Sequence, residues 1–137
     1  VSVTDDYRAV RDQLLTVLGQ QQRAVEEFRW PELGERLNRA VDWLDDTDNN
    51  RPALIIVEED GTSTQRSYGE MSRRCAQVAV WLAGRGVGRD DAVMVRLDDQ
   101  VELWESMLAI MKRGAVIMAT RTPADLSDRV DLAKPGG

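Results

Sequence analysis

Between Ser67 and Val130 a capped helix, a strand, a second capped helix, a second strand and the start of a third helix follow one another with almost no spare residues. Ser67 and Glu70 have capping-box spacing, so the serine oxygen can accept the third-residue N–H while the glutamate reaches back to the serine N–H. Met71, Cys75, Val78, Ala79 and Leu82 then recur as one apolar stripe, and Gly84 or Gly86 ends the helix. Ala92–Leu97 is an almost unbroken apolar run, the pattern of a strand covered on both faces. Asp98 or Asp99 is the expected cap of the next helix, whose stripe is Val101, Trp104, Leu108 and Met111. Gly114 stops it and Ala115–Ala119 supplies the second strand. Strand, helix and strand joined this way should be parallel, with a right-handed crossover. Thr122-Pro123 opens a last helix that Pro135-Gly136-Gly137 ends near Lys134.

Upstream, a first helix is expected to start after Thr4, a residue that can cap, with Tyr7, Val10, Leu14 and Leu18 on one face. Gln20-Gln21-Gln22 weakens its far end, and the segment from Gln20 to Trp30 reads as a hinge. Pro31 suits the first position of a second helix, since its missing N–H costs nothing there, and Leu33, Leu37, Val41 and Leu44 form a stripe. Asp45–Asn50 reads as an acidic surface loop. Leu54–Val57 and Thr62–Arg66 flank Asp60-Gly61, a pair that tolerates positive φ at both central positions of a hairpin turn. The expected fold class is therefore α/β: N-terminal helices, a β-hairpin and a right-handed parallel βαβ unit. The expected division is an N-terminal helix over 1–27 and a second segment over 28–137.

With 137 residues the chain is large enough for one domain with a real core. A formal charge of −6 without clustered Lys and Arg disfavours a nucleic-acid binder, which needs cations to release counterions. No apolar run approaches the length of a bilayer span, and Thr4, Asp5 and Asp6 stand where a secretory signal would be apolar, so a soluble cytoplasmic protein is expected. Cys75 has no disulfide partner, and the absence of histidine removes imidazole ligands and the commonest general base. No metal site and no catalytic nucleophile pair is expected within the chain.

Several motifs invite chemistry, and most have plainer readings. Gly84-x-Gly86-x-Gly88 lacks dinucleotide-loop spacing and precedes its strand, so it reads as a helix stop. Asp46–Asn50 begins like a calcium loop, but Arg51 stands where the sixth-position glycine belongs and Val57 where the bidentate glutamate belongs. Glu58-Glu59 sits by a turn and Asp98-Asp99 by a helix start. Cys75 lies on an apolar face, as buried free cysteines do, and the four tryptophans lie on or beside apolar stripes. The loop Ala119-Thr120-Arg121-Thr122-Pro123 differs, because open α/β sheets bind ligands at the carboxyl ends of their strands.

Taken in order, Ser67–Glu70, Gly84–Gly88, Ala92–Leu97, Val101–Trp104 and Gly114–Ile117 resemble the N-terminal part of an adenylate-forming, AMP-binding acyl-CoA synthetase, or fatty acid–CoA ligase. Phe28-Arg29-Trp30-Pro31, Leu37-Asn38 and Asp42-Trp43-Leu44-Asp45 resemble the lead-in segment of the acetyl-CoA and medium-chain branch. The resemblance spans residues 28–133. It implies a parent carboxylate:CoA ligase that uses ATP, Mg²⁺ and CoA to convert a carboxylic or fatty acid to acyl-adenylate and then acyl-CoA. The family's phosphate loop, T-S-G-T-T-G-x-P-K, falls beyond Gly137, so the chain alone is expected to be inactive, with the remainder of the synthetase as its partner. By the same resemblance Thr120 and Arg121 lie near bound CoA. Two other readings stand beside this one: a free-standing, non-catalytic α/β interaction module, and an adenylation domain that loads a carrier protein. An unpaired sheet edge would also let the chain self-associate.

Overall fold

The computed structural model describes residues 3–32, 37–45 and 47–120. Leu33, Asp46, Arg121 and the helix expected after Thr122-Pro123 lie outside them. The chain divides into two compact units, Val1–Leu37 and Asn38–Gly137.

In the first unit, helix α1 spans Val3–Thr16 and α2 spans Gln21–Glu27. Helix α1 begins before Thr4, so Thr4 is not its cap but a buried residue of its first turn, where Asp5 and Asp6 complement the helix dipole. Of the expected apolar face, Tyr7 and Val10 are half-buried, but Leu14 is 39% and Leu18 80% exposed, and the buried Val17 lies just past the helix end. The expected hinge is partly helical. Helix α2 forms there because Gln22 donates to Glu26 at 3.1 Å and Arg23 pairs with Glu27 at 2.6 Å, both at helical four-residue spacing.

Pro31 and Glu32, at the expected start of a second helix, are not helical. In the second unit Arg39 is helical and Ala40–Leu44 is wound as a π-helix. Asn38 causes this. Its carbonyl accepts from Val41 and Asp42, its Oδ1 accepts the Ala40 N–H at 3.1 Å, and its own N–H donates to the Asp42 carboxylate at 2.6 Å. Asn38 thereby caps the turn with main chain and side chain together. Asn38 Nδ2 also donates to the Met111 carbonyl at 2.8 Å, which fixes the turn to a distant helix.

Strands β1 (Pro52–Val57) and β2 (Ser63–Ser67) pair antiparallel, with Ile55 opposite Gln65. The Asp60-Gly61 turn forms as expected in place, but only Gly61 has positive φ (83°). Gly61 donates to the Glu58 carbonyl at 2.9 Å and Asp60 accepts from the Thr62 N–H and hydroxyl. This is a type I turn closed by a left-handed glycine. The Thr62 hydroxyl holds the Asp60 carboxyl below its usual range.

Helix α3 (Tyr68–Gly84) starts on the expected box: Glu70 N–H donates to Ser67 Oγ at 3.2 Å and Ser67 N–H to Glu70 Oε2 at 2.8 Å. The N–H of Ser67 holds the Glu70 carboxyl below its usual range. β3 (Ala92–Val95), α4 (Val101–Lys112) and β4 (Val116–Ala119) complete the unit. β3 and β4 are parallel, with Ala92 opposite Val116 and Val95 opposite Ala119. The hairpin and the parallel pair are separate two-stranded sheets.

Both long helices end in the same way. Gly86 (φ 84°) donates to the Ala83 carbonyl and Val87 to the Leu82 carbonyl; Gly114 (φ 69°) donates to Met111 and Ala115 to Ile110. Each is a Schellman motif, and it needs a left-handed residue at the glycine. Val87 and Ala115 pack on the cluster of Ala79, Leu82, Val95, Ala109 and Ile110. Of the two candidates, Gly86 is thus the stop and Gly84 is merely the last helical residue.

Helix α4 departs from expectation at both its start and its stripe. Its cap is Gln100, without a side-chain bond, and neither Asp98 nor Asp99 caps it. Its buried residues are Glu105, Ala109 and Ile110, while Trp104 is 44% exposed. The helix is apolar nearly all round because it serves two clusters. Leu103, Ala109 and Ile110 face the first; Val101 and Leu108 pack on the second, which holds Leu44, Met71 and Cys75.

Gly86→Ala should therefore destabilise the chain by about 1–2 kcal/mol through forced left-handed φ, whereas Gly84→Ala should be neutral or stabilise by up to about 1 kcal/mol. Urea denaturation of both variants checks this, and equal effects would contradict the assigned helix end.

Candidate functional site

The parallel register brings the carboxyl ends of β3 and β4 level. Val95 lies opposite Ala119, and Thr120 N–H donates to the Val95 carbonyl at 3.0 Å, extending the ladder one step past β4. Thr120 is therefore buried at the strand end, with its N–H engaged by the sheet. Beside this edge runs Arg96–Gln100, which lines a cleft of about 540 Å³ among the described residues. All five residues are exposed. The Asp98 carbonyl accepts the Gln100 N–H at 2.7 Å, a tight bend that turns β3 into α4. Asp98 and Asp99 put negative charge beside the positive end of the α4 dipole, and Arg96 is the cation of the cleft lining. Arg121, the other residue singled out from the sequence, lies outside the described residues.

A second polar group sits where α3, α4 and the loop before β1 meet. Lys112 Nζ contacts both Asp45 carboxylate oxygens, at 2.7 and 2.8 Å, and the Ser72 hydroxyl donates to the same carboxylate. The Lys112 side chain is only 11% exposed, so the pair is less screened than a surface bridge. Asp45 is therefore not simply part of a solvated acidic loop but its anchor. Glu105, buried on α4, meets Arg74 of α3 at 3.4 Å. Cys75 lies within the same helix interface, fully buried, and burial pushes its thiol up from 9.0 to about 11. It is a packed hydrophobe and not a nucleophile, as its place on the apolar stripe implies. Periodicity could not have found Asp45, Ser72 and Lys112 as a group, because they come from three elements far apart in sequence.

The remaining motifs have structural roles. Gly88 N–H donates to the Asp91 carboxylate at 2.7 Å, so this glycine serves the loop before β3. Asp48 Oδ1 accepts the Asn50 N–H at 3.0 Å in a local turn. Glu58 belongs to the hairpin turn. Among the described residues no group of three His, Cys, Asp or Glu side chains could hold a metal ion, and no helix is long and apolar enough to cross a membrane.

A helix–hairpin–helix frame leading into a parallel strand–helix–strand unit, with its open edge at Thr120, is the architecture of one part of an adenylating domain. Residues 42–129 match the AMP-binding enzyme family, and the chain belongs to that family. Over 92 residues it is 34% identical to the acetyl-coenzyme A synthetase of Thiobacillus denitrificans, a match covering 65% of this chain and 14% of that protein. The chain thus spans about one seventh of the relatives it matches. Its fold superposes on an acyl-CoA synthetase from Brucella canis with a TM-score of 0.66 at 23% identity, over 89% of this chain and 23% of the other. It also superposes on a benzoate CoA ligase from Burkholderia xenovorans LB400 with a TM-score of 0.57 at 25% identity, over 72% and 20%. The resemblance to acyl-CoA synthetases and the α/β fold class drawn from the sequence are both borne out.

Two measurements test the polar group. In a double-mutant cycle, Asp45→Asn and Lys112→Met should couple by about 1 kcal/mol or more, within the range for residues in one network; additive effects would remove the pair from the structure's support. The Cys75 thiol has a folded value above its unfolded one. Its contribution is therefore intact below pH 9.0 and is lost as pH rises through about 11. Cys75→Ala should flatten that part of the stability profile, and folded wild-type chain should resist iodoacetamide at mildly alkaline pH. Rapid alkylation without unfolding would contradict the assigned burial.

Proposed function

We propose that this chain is the N-terminal part of a carboxylate:CoA ligase, in which residues 28–137 scaffold one side of the catalytic core and lead CoA to it. The match of residues 42–129 to the AMP-binding family, together with 34% identity to an acetyl-coenzyme A synthetase, carries this reading. The parent enzyme joins a carboxylic acid to ATP, releasing pyrophosphate and leaving an acyl-adenylate. The CoA thiol then attacks the adenylate carbonyl and displaces AMP.

The first step needs donors and cations around the phosphates to stabilise transferring charge. Residues described here do not fit that task. The cleft at the end of β3 carries Asp98 and Asp99 against one arginine, and among the described residues no cluster of three His, Cys, Asp or Glu side chains could hold a metal ion. ATP and Mg²⁺ are accordingly assigned to the rest of the parent. The second step needs the thiol held in line with the carbonyl. Thr120, at the carboxyl edge of the parallel pair, and Arg121, the next residue, are the candidates for guiding CoA, the arginine by pairing with a CoA phosphate. β3 and β4 each pair on one side only among the described residues, which favours self-association of the isolated chain.

The isolated chain should give no ATP–pyrophosphate exchange with any acid, while the intact parent should exchange with its own substrate. Exchange by the chain alone would refute the scaffold role. In the parent, Arg121→Ala should raise the KM for CoA about tenfold, the loss expected for one charge-assisted contact, and leave the KM for ATP unchanged. An unaltered CoA dependence would rule the contact out.

A further inference from the structure

A second cavity, of about 270 Å³, opens where the π-helical turn, β1, the start of α3 and the outer side of α4 converge. It shares no lining residue with the cleft beside Thr120. It is lined by Trp43, Tyr68 and Trp104, by Leu108 and the buried Met71, and by Arg39, which is exposed. The π-helical winding of Ala40–Leu44 follows Arg39 and contains Trp43, and both residues line the cavity. Such windings are rare and are often found at functional sites.

The electrostatics of the rim are one-sided. Arg39 makes no hydrogen bond or ion pair among the described residues. The neighbouring acids that could neutralise it are already engaged: the Asp42 carboxylate accepts from the Asn38 N–H, and Asp45 is held by Lys112 and Ser72. Among the described residues Arg39 is thus a guanidinium without an ion-pair partner in the lining of an aromatic cavity, in a chain whose formal charge is −6. A guanidinium presents a planar fork of donors that matches a carboxylate. The size sets the other half of the ligand. A cavity of about 150 Å³ accommodates benzene, so this one has room for a ring and a short acid tail but falls below the usual range for larger ligands.

We propose that this cavity binds a small monocarboxylate with an aromatic body, the ring held among Trp43, Tyr68 and Trp104 and the carboxylate on Arg39. Charge complementarity selects the acid over a neutral apolar guest. The inference does not depend on the ligase reading, because it rests on this cavity alone.

The test titrates the 137-residue chain with phenylacetate and with phenylethanol, a neutral probe of similar size and shape, following tryptophan emission and ligand-observed NMR. Phenylacetate should bind saturably and roughly tenfold more tightly than phenylethanol, the increment of one charge-assisted hydrogen bond. Arg39→Gln alters an exposed side chain, so it should keep the far-UV circular dichroism and reduce phenylacetate affinity to that of the alcohol. Trp104→Ala should weaken both probes. Equal affinities for acid and alcohol would mean a plain apolar patch and overturn the proposal. So would undiminished phenylacetate binding in folded Arg39→Gln, or an absence of saturable binding by the wild-type chain.

Discussion

Two helix ends hold the second unit together. At Gly86 and at Gly114 the chain leaves a helix through a left-handed glycine and returns an N–H, from Val87 or Ala115, to a carbonyl one turn back. Both of those residues then pack on the same apolar cluster. The two exits are also tied to each other: Arg113 Nε donates to the Val87 carbonyl at 3.1 Å, Asp90 N–H to the Gly114 carbonyl, and Val116 N–H to the Asp91 carbonyl. The last of these is effectively the first rung of the parallel ladder. Register is therefore decided before either strand begins, and a parallel pair, which has no hairpin to set it, inherits it from the helix exits. Ala92 meets Val116, Val95 meets Ala119, and Thr120 comes out level with the Arg96 bend. The placement of the candidate site at the far end of the strands is a consequence of glycine geometry at the near end.

Helix α4 carries the second constraint. It must present an apolar surface to the β3 side through Leu103, Ala109 and Ile110 and another to the hairpin side through Val101 and Leu108. A helix packed on two sides has little surface left for charge, yet Glu105 and Lys112 sit on it. Glu105 is buried and survives because Arg74 reaches it from α3; Lys112 is nearly buried and meets the carboxylate of Asp45. Buried charges without partners cost several kcal/mol, so these contacts dictate where the loop after the π-helical turn can lie. Asn38 adds a third tie by donating to the Met111 carbonyl. The turn that carries Arg39 and Trp43 is thereby fastened to the last turn of α4 at both ends, by Asn38 before it and Asp45 after it.

What could be read from the sequence divides along the range of the interactions involved. The Ser67–Glu70 box, the Asp60-Gly61 turn, the glycine stops and the two strands are all set by neighbours within a few residues, and each was legible. The errors lie where two local signals competed or where a distant partner decided. Pro31 suits a helix start yet is not helical, while the turn at Ala40–Leu44 is fixed by Asn38, which bonds it with side chain and main chain together and is held by Met111. Asp98 and Asp99 are good capping residues in isolation, but the 2.7 Å bond from Gln100 N–H to the Asp98 carbonyl bends the chain so that Gln100 takes the cap position. The stripe of α4 was misjudged because a helix buried on two sides has no single periodic face to read. Thr120 was legible as a strand-end position. The cavity at Arg39 was not, since its lining comes from four separate segments.

The balance of charge across the unit fits its proposed role in a larger enzyme. Phosphate chemistry requires converging positive groups, whereas the described end of β3 presents two carboxylates and one guanidinium, and the chain as a whole carries −6. Anionic ATP would be repelled from such a surface at short range, though screened beyond about one Debye length. In the proposed parent the acid and ATP react first and the thiol must then reach the carbonyl, so CoA, itself polyanionic, meets the same negative surface as ATP. On this proposal the carboxylates of Asp98 and Asp99 oppose either anion, and a cation is needed beside Thr120 to admit CoA, which is the role proposed for Arg121.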